Sequence, residues 1–515
     1  MATAEAQDYW KDAERPQSVE ARARMMLERA HWAATSFATF DRERTLRVAK
    51  AAADAGFARA QHYAEWAVRE TGFGVAEHKK IKNELCSRGI FEHYREEDYV
   101  GKRIDAERKI VEFARPAGVI FGLVPSTNPI STVFYKIVLA LLTRNAIVIS
   151  PHPLAKACCA DAARFMGEAA RKAGAPDGVV QAIEEPTIPL IEALMADART
   201  DVILATGGVA VVRAAYRSGN PAIGVGPGNA PVFVDATADL PKAAKRIVTS
   251  KSFDNSILCT NESVLVAEEA IADKLERHLQ NEGSHLCEGD DRERLRGYLF
   301  PEGKFNLAAL GKDAVWIAKE AGLRVSARTK ILLAPFELAV PEEPFAREKL
   351  CPVLGYIRVP HAKRGIDVSR AIMRVSGSGH SAAIHSRDPK TIMAFAANLR
   401  ALRVAVNSPC STGAAGFDTH LAPSMTIGTG YVGRSSVGDN IGPQHLVNWV
   451  RIAYDKDAAE RMGDFEGLEP WDSTARLAPA VHRAADAEAD DIGAAMREEI
   501  RKVILEELRD LFMGS

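Results

Sequence analysis

Residues 118–150, GVIFGLVPSTNPISTVFYKIVLALLTRNAIVIS, contain two short apolar runs separated by a turn and a helical segment. Residues 118–124 and 146–150 predict strands, PSTNP ends the first, and residues 133–144 predict the helix between them. Short apolar strands joined by helices are typical of parallel sheets, whose strands are buried on both faces. This stretch therefore predicts a strand, a crossover helix and a second, parallel strand.

The same alternation continues along the chain as far as residue 234. Further strands are predicted at residues 178–183, 201–205, 222–225 and 231–234, with helices ending near residue 173 and spanning 190–196 and 209–216. This pattern predicts an α/β fold with a doubly wound parallel sheet, preceded by helices over residues 17–70. In such sheets ligands bind beyond the carboxyl ends of the strands. The turns STNP (126–129), SPHP (150–153) and ATGG (205–208) are predicted to lie there.

A second, shorter α/β region is predicted from about residue 250 to 425. Its apolar runs are SVLVA, KILLAP, VLGYIRV, SAAIHS and VAVNSP, with a helix at 270–280. A Gly-rich segment, 426–442, and an apolar stretch, 446–453, follow. The charged segment 71–108 is predicted to be a solvated surface rather than part of a site.

The last fifty residues differ in character from the rest. Turn residues at 462–480 predict a linker, and apolar residues spaced along 492–512 predict an amphipathic terminal helix. We expect that helix to dock on its own chain or on a sister subunit, with a targeting or partner-binding role as the alternative.

Composition excludes several classes of protein. The 515 residues carry a net charge of −2, with 47% hydrophobic and 26% charged residues, which gives no general attraction for nucleic acid or anionic membrane. The N-terminus lacks the apolar core of a signal peptide, and no apolar run approaches a membrane span. Seven cysteines without a paired CxxC framework fit reduced thiols in the cytoplasm and argue against a zinc site.

One glycine motif is predicted not to bind a nucleotide. Residues 428–433, GTGYVG, match GxGxxG, but the dinucleotide fingerprint needs a helix directly after it. The residues that follow, RSSVGDNIGP, cannot begin a helix.

The stretch SKSFDNSILCT, residues 250–260, holds the candidate nucleophile Cys259. A basic helical run leads into residues 253–256, which should end the helix, and Cys259 then stands at a loop edge before a strand. A thiolate at such a position attacks carbonyl carbon readily. The alternative is a small apolar residue that closes a buried turn.

The better phosphate candidates are two strand-end turns. Thr206, Gly207 and Gly208 offer bare backbone N–H groups at a helix start, where an anion is favoured. The turn GVGPGN, with Gly224, Gly226 and Gly228, lets another backbone or a flat ring approach closely. Each turn alone could be a tight connection, but several on one sheet edge favour nucleotide binding.

These motifs occur together in one known superfamily. STNP, SPHP, ATGG, GVGPGN, SKSFDNSILC, FAREKLCPVLG, GHSAAIHS and GDNIGPQHL follow one another in the order seen in the aldehyde dehydrogenases. From about residue 20 to 455 the chain resembles the coenzyme A-acylating branch. It is similar to the aldehyde dehydrogenase half of bifunctional aldehyde–alcohol dehydrogenases, without their iron-type alcohol dehydrogenase half.

The resemblance implies a fold and a division of the chain. It implies the aldehyde dehydrogenase fold, with a cofactor-binding domain and N-terminal helices at 1–249 and a catalytic domain at 250–427. A return and oligomerisation segment would occupy 428–461, and the linker and terminal helix 462–515. Family members assemble as dimers, tetramers or filaments, so the resemblance implies a homo-oligomer without selecting one size.

The resemblance also implies roles for three catalytic residues. Cys259 would attack the aldehyde to give a thiohemiacetal, and hydride transfer would leave a thioester on its sulfur. Asn128 would donate its side-chain amide, with the Cys259 backbone N–H, to the oxyanion. His380 would contribute near the thioester, although a lone histidine is as often a hydrogen-bonded structural residue.

The implied cofactor is NAD or NADP, with coenzyme A as co-substrate. Glu348 matches the glutamate that holds the nicotinamide ribose, with a surface carboxylate beside Lys349 as the alternative, and His152 stands where relatives bind the adenosine ribose. No acidic residue follows His152 to repel a 2′-phosphate, so either dinucleotide is expected to bind. The other implied contacts are Ser126, Thr127, Thr206, Gly207, Gly208, Gly224, Gly226 and Gly228.

One departure from the family pattern predicts the product. Relatives that make free acids carry a glutamate in a motif like ELGGKSP, but here the matching stretch is VGPGNAP, with Val225 at that position. Valine cannot take a proton from water, whereas a thiol such as coenzyme A can still resolve the thioester. The product is therefore expected to be an acyl-CoA. A hydrolytic enzyme and a non-catalytic scaffold are the alternatives.

A second departure concerns the substrate. Arg434 replaces a small residue common in acetaldehyde-using relatives, in a segment that should lie near the substrate pocket. Its planar guanidinium could pair with a carboxylate or sulfonate, so sulfoacetaldehyde or a semialdehyde rivals acetaldehyde. Alternatively, Arg434 binds a phosphate of coenzyme A or a partner subunit.

Overall fold

The computed structural model describes residues 18–471, and the predicted terminal helix lies outside these described residues. The strands, in chain order, are β1 (Lys102–Asp105), β2 (Ile110–Pro116), β3 (Val119–Leu123), β4 (Ala146–Ser150), β5 (Val180–Ala182), β6 (Val202–Thr206), β7 (Ala222–Val225), β8 (Ala230–Val234), β9 (Glu262–Glu268), β10 (Ser284–Leu286), β11 (Ile331–Pro335), β12 (Val353–Val359), β13 (Ser381–His385), β14 (Arg403–Val406) and β15 (Val447–Ala453).

The helices connect and cover these strands. They are α1 (Val19–Phe37), α2 (Arg42–Ala58), α3 (Ala60–Thr71), α4 (Ala76–Glu84), α5 (Ile90–Tyr94), α6 (Pro129–Leu142), α7 (Lys156–Lys172), α8 (Ile188–Ala196), α9 (Val209–Arg217), α10 (Leu240–Ser252), α11 (Glu269–Glu282), α12 (Gly289–Leu299), α13 (Ala314–Glu320), α14 (Ala362–Val375), α15 (Pro389–Asn398) and α16 (Cys410–Gly413). A π-helical turn, Leu85–Gly89, joins α4 to α5.

The first sheet is parallel, and its strands run in the order β5-β4-β3-β6-β7. The chain moves outward from β3 to β5 and then crosses to β6 and β7. Right-handed crossovers therefore put α6 and α7 on one face and α8 and α9 on the other. Every residue of α6, β3 and β4 is buried, because α6 is covered by α2 and α7 as well as by the sheet. The predicted doubly wound sheet is confirmed.

The second sheet is also parallel, with seven strands in the order β10-β11-β12-β9-β8-β13-β14. It contains β8, which pairs with β9 and β13. The prediction that residues 231–234 continue the first sheet is therefore wrong. The turn over residues 226–229 redirects the chain, and the five buried residues of β8 are equally suited to the core of either sheet.

A third, antiparallel sheet pairs the strands directly before the first parallel sheet with a strand near the end of the described chain. β2 lies between β1 and β15, and residues 110–116 pair with residues 447–453. In residues 18–471, no helix combines the length and the apolar character that crossing a bilayer requires.

Candidate active site

Cys259 follows a backbone turn of unusual conformation. Helix α10 ends at Ser252, as predicted, and a 3₁₀ turn over Phe253–Ser256 follows. Asp254, Asn255 and Ser256 have φ values of 50°, 52° and 61°, in the left-handed region that non-glycine residues rarely occupy. Such backbone strain persists only where the surroundings hold it, and it concentrates at functional sites.

The side chain of Asp254 holds this turn in place. Its carboxylate accepts hydrogen bonds from the Val75 N–H at 2.7 Å, from Lys79 Nζ at 3.0 Å and from Lys82 Nζ. Its own backbone N–H donates to Nδ1 of His78 at 2.9 Å. The turn is thus held at four points by residues 75–82, three of them in α4 and one directly before it.

The two lysines correct an expectation from the sequence. The charged segment 71–108 was predicted to be solvated, but the Lys79 and Lys82 residues are only 3% and 2% exposed. Burial alone raises the pKa of Asp254, yet the charges of Lys79 and Lys82, with the hydrogen bonds that Asp254 accepts, hold it below its ordinary value. Asp254 is therefore ionised and compensates the buried ammonium groups.

The amide of Asn128 lies between this cluster and the cysteine loop. Its Oδ1 accepts a hydrogen bond from Lys82 Nζ at 2.5 Å, and its Nδ2 faces Thr127 Oγ1 at 3.2 Å and the Ile257 carbonyl at 3.4 Å. Asn128 is buried at the start of α6, directly after the β3 strand end. The structure therefore places the Asn128 amide in contact with the backbone of Ile257, two positions before Cys259.

Gly228 packs against Cys259 and His380. A Cβ placed on Gly228 would clash with the Cys259 carbonyl oxygen and would lie 3.4 Å from Cγ of His380. The predicted close approach of another backbone to this turn is confirmed.

His380 is buried and neutral. Its Nδ1 pairs with Ser381 Oγ at 2.8 Å, and its Nε2 has no hydrogen-bond partner among residues 18–471. Burial, with the charge of Arg403, lowers the pKa of His380 to about 3. The imidazole is therefore uncharged at neutral pH and only a weak base.

Cys259 differs from the other cysteines in its exposure. It is partly exposed, whereas Cys86, Cys158, Cys159, Cys287, Cys351 and Cys410 are buried, and all seven are free thiols. Burial, with the nearby charge of Glu348, raises the pKa of the Cys259 thiol to about 12. The thiol is therefore protonated at neutral pH and needs a proton acceptor before it can attack.

Glu348 is partly buried rather than a surface carboxylate. Burial raises its pKa to about 8, against the opposing effects of the Gly228 N–H and of Lys251 and Lys349. Its charge influences Cys259, so Glu348, Gly228 and Cys259 belong to one site.

The predicted dinucleotide contacts lie at the carboxyl edge of the first sheet. Ser126 and Thr127 follow β3, His152 follows β4, and Thr206, Gly207 and Gly208 lead into α9. A Cβ on Gly207 would meet nothing nearer than 3.6 Å, and one on Gly208 nothing within 4 Å, so this helix N-terminus is open to an anion. The exposed His152 accepts a hydrogen bond from the Leu154 N–H at 3.1 Å. This donor set fits a dinucleotide.

Gly224 and Gly226 belong to the neighbouring turn. A Cβ on Gly224 would clash with Val212 of α9, whereas Gly226 lies open beside Gly433. Val225 is a buried residue of β7 and pairs with Thr206. Position 225 therefore holds a buried apolar side chain.

The segment with Arg434 lies against this turn. Arg434 is exposed, with a φ of 60°, and the next residue, Ser435, donates from Oγ to the Gly224 carbonyl at 2.5 Å. As predicted, no helix follows the GxGxxG match: Gly428 and Gly430 instead donate their N–H groups to the Asp439 and Val437 carbonyls at 3.0 and 2.9 Å.

Sequence reasoning missed Lys79, Lys82 and Arg403. Arg403 is buried, and its guanidinium donates to the Gly379 carbonyl at 2.8 Å, to the His380 carbonyl at 3.2 Å and to the Gly438 carbonyl at 3.0 Å. It thereby ties the His380 turn to the Gly-rich segment. For the lysines the available signal was their helical spacing with Asn83 and Cys86, which puts all four on one buried face.

Comparison with known proteins agrees with this architecture. The protein has two parallel sheets, a partly exposed cysteine and a buried asparagine amide close to the cysteine loop. Residues 7–420 match the aldehyde dehydrogenase family. The chain belongs to this family.

Individual relatives extend the comparison. The bifunctional aldehyde-alcohol dehydrogenase of Escherichia coli is 36% identical over 434 residues, 83% of this chain and 49% of that protein. The chain thus spans about half the length of such bifunctional relatives. The succinate-semialdehyde dehydrogenase (acetylating) of Clostridium kluyveri is 34% identical over 439 residues, 85% of this chain and 96% of that protein.

A solved structure matches the fold closely. The acetylating aldehyde dehydrogenase of Geobacillus thermoglucosidasius superposes with a TM-score of 0.84 at 36% identity, covering 87% of this chain and 98% of that one.

Proposed function

We propose that this chain oxidises a short aldehyde to an acyl-CoA with NAD(P)⁺, in a reversible reaction. The proposal is carried by the site that combines Cys259, Asn128 and His380, together with a buried valine, Val225, where hydrolytic relatives carry a glutamate. The site offers a nucleophile and an oxyanion donor, but valine at 225 cannot activate water. The named activities of the relatives agree with this reaction, and hydrolysis to a free acid is disfavoured.

The first chemical step belongs to Cys259. Its thiol loses a proton to solvent water, and the thiolate sulfur then attacks the aldehyde carbon. His380, which packs against Gly228 beside Cys259, would contribute near the thioester. The resulting thiohemiacetal carries an oxyanion, which accepts hydrogen bonds from Asn128 Nδ2 and the Cys259 backbone N–H. When bound, the oxidised nicotinamide dinucleotide accepts the hydride.

The second step releases the acyl group. A thioester on Cys259 is attacked by the sulfur of coenzyme A, and the same two N–H donors stabilise the second tetrahedral oxyanion. The bond between the acyl carbon and the Cys259 sulfur then breaks, and this sulfur takes up the proton that the coenzyme A thiol has lost. The product is acyl-CoA.

The dinucleotide would be held by the carboxyl edge of the first sheet. The N–H groups of Gly207 and Gly208 suit its phosphates, Glu348 suits the nicotinamide ribose and His152 the adenosine ribose. Ser126, Thr127, Thr206 and the turn with Gly224, Gly226 and Gly228 would complete the contacts. NAD and NADP both remain candidates.

The decisive test measures NAD(P)H formation with a panel of short aldehydes, with and without coenzyme A. We expect turnover only with coenzyme A, an acyl-CoA product by mass spectrometry, and no activity in Cys259→Ala. Full turnover to a free acid without coenzyme A would overturn the proposal.

The substrate is proposed to be acetaldehyde or an anionic short aldehyde such as sulfoacetaldehyde or a semialdehyde. The exposed guanidinium of Arg434 beside the Gly224 turn, and a relative named for succinate semialdehyde, support the anionic class.

Arg434→Ala should raise KM about tenfold for the anionic aldehyde and leave KM for acetaldehyde unchanged, since one charge-assisted contact is lost. The matched control is Arg451→Ala, an arginine paired with Glu112 on the third sheet. Equal effects on both aldehydes would contradict the assignment of Arg434 to the substrate.

We further propose a cytoplasmic homo-oligomer, a dimer or tetramer. Seven free thiols support a reducing compartment. The exposed Leu402 and Val406 at the β14 edge of the second sheet support an association surface. Light scattering of the purified protein should give a mass of two or four chains, and a monomer would contradict the assembly.

A further inference from the structure

A buried lysine faces the Asn128 amide from the side opposite the cysteine loop. Lys82 Nζ lies 2.5 Å from Asn128 Oδ1 and also donates to Asp254. An ammonium group has three donors and no acceptor, so only the oxygen of an amide can face it favourably. The amide nitrogen must then point away, toward Thr127 and the Ile257 carbonyl.

The opposite orientation of the amide would be costly. It would place the N–H donors of Asn128 against an ammonium and the amide oxygen toward the cysteine loop. The N–H donors would then have no acceptor at Lys82, the oxygen would face the Ile257 carbonyl oxygen, and it would repel a developing oxyanion. Lys82 therefore selects the one amide orientation that can stabilise negative charge at Cys259.

Asp254 keeps Lys82 where it can do this. Its carboxylate bonds to Lys82 and neutralises part of the charge of the two buried lysines. The same carboxylate holds the left-handed turn that leads to Cys259. One ion cluster thus fixes the position of both the nucleophile loop and the oxyanion donor.

Lys79 gives an internal comparison. It is equally buried and also pairs with Asp254, but its second contact is the Thr127 carbonyl at 3.3 Å rather than the Asn128 side chain. The two lysines share burial and the ion pair with Asp254, so they are matched in these two respects. Only Lys82 touches the amide.

We propose that Lys82, anchored by Asp254, is a positioning residue that orients the Asn128 amide as an oxyanion donor. The inference rests on the proposed function, in which Asn128 stabilises the tetrahedral intermediates. It adds to that function a reason why a lysine must be buried at position 82.

The experiment compares Lys82→Met with Lys79→Met in the full chain. Methionine keeps most of the side-chain volume and removes the donors. Lys82→Met should lower kcat about 100- to 1,000-fold, the usual cost of losing one oxyanion donor, with KM for the aldehyde and NAD(P)⁺ changed less than about threefold. Lys79→Met should lower kcat less than about tenfold. Equal losses in the two variants would overturn the proposal.

A double-mutant cycle separates positioning from general structural damage. In an Asn128→Ala background, Lys82→Met should cost less than about threefold further in kcat, because the group that it orients is gone. If the reductions in kcat caused by the two substitutions instead multiply, Lys82 does not act through Asn128. Lys82→Arg, which keeps donors only, should recover activity to within about tenfold of the unmodified chain.

The failure of the two proposals can be told apart. If Asn128→Ala alone leaves kcat unchanged, the oxyanion role in the proposed function is wrong. If Asn128→Ala is impaired and Lys82→Met is not, only the positioning role is wrong. Should Lys82→Met fail to fold, Lys82→Gln replaces it; glutamine can donate or accept and so selects no orientation, and an unchanged kcat would overturn the inference.

Discussion

Two carboxylates flank Cys259, and they are in opposite protonation states. Asp254 is fully buried beside Lys79 and Lys82, and its pKa lies below the ordinary value. Glu348 acts on Cys259 through its charge, and burial raises its own pKa to about 8. The comparison shows that direct partners, rather than depth alone, decide whether a carboxyl group in this protein carries a charge.

The lysines near Glu348 do not act as its direct partners. The Lys349 ammonium donates to the Phe345 and Arg347 carbonyls, each at 2.6 Å, and Lys251 donates to the Lys349 carbonyl at 3.2 Å. Their charges lower the pKa of Glu348 only partly. Asp254 is thus a fixed structural anion, whereas Glu348 titrates with a pKa of about 8.

Removing the charge of Asp254 should give the largest effect. Asp254→Asn leaves two buried ammonium groups uncompensated, so the free energy of unfolding should fall by about 3–5 kcal/mol. Denaturant unfolding at neutral pH measures it. Glu112→Gln, which breaks an exposed pair with Arg451, is the control and should stay within about 0.5 kcal/mol. A loss below about 1 kcal/mol for Asp254→Asn would mean that the cluster is not charge-balanced as described.

Gly228 lies between Glu348 and Cys259 and provides an intermediate test. In Gly228→Ala the new methyl group would clash with the Cys259 carbonyl, so the loop must shift. We expect a kcat about 100-fold lower and a free energy of unfolding lower by about 1–3 kcal/mol. Gly297→Ala, in α12 with nothing within 4 Å, should instead be neutral or stabilising. Unchanged activity in Gly228→Ala would contradict the close packing.

The smallest effect concerns the pH dependence set by Glu348. Its pKa is about 8 in the folded protein against an ordinary 4.5, so the folded state binds more protons between these values. Its contribution to stability is complete below pH 4.5 and is lost as the pH rises through 8. The unmodified chain should therefore lose about 1–2 kcal/mol more than Glu348→Gln between pH 6 and pH 8.

Urea midpoints of both proteins at the two pH values check this difference. Asp254 should not contribute to this difference, because a carboxyl group with a lowered pKa changes stability only at acidic pH. Parallel pH profiles for the unmodified chain and Glu348→Gln would show that Glu348 has solvent or a partner that stabilises its charge.

The fold was largely predictable because its signals are local. The apolar runs at 118–124 and 146–150 each carry the pattern of a buried parallel strand, and the structure has β3 and β4 there. The apolar run of β8 predicted a strand but could not say which sheet it joins. That choice depends on the turn at 226–229 and on pairing with β9 and β13.

The site was predictable only in part. Cys259 and Asn128 came from motifs, but the burial of Lys82 depends on Asp254, 172 positions away. Hydropathy would predict that Ile81 is buried and that its neighbours Lys80 and Lys82 are exposed. In the structure Ile81 is 43% exposed, whereas Lys80 is partly buried and Lys82 is buried. A charged residue is buried where a distant partner compensates it, and no local pattern records that partner.

The antiparallel sheet has a consequence for the order in which the chain folds. Glu112 of β2 pairs with Arg451 of β15, 339 positions later. This edge of β2 therefore stays unpaired until nearly all of the described chain has been synthesised. Contacts so distant in sequence form late and leave an open strand edge exposed to other nascent chains. β2 carries two charged residues, Glu112 and Arg115. Charged residues on a strand edge oppose its pairing with other chains.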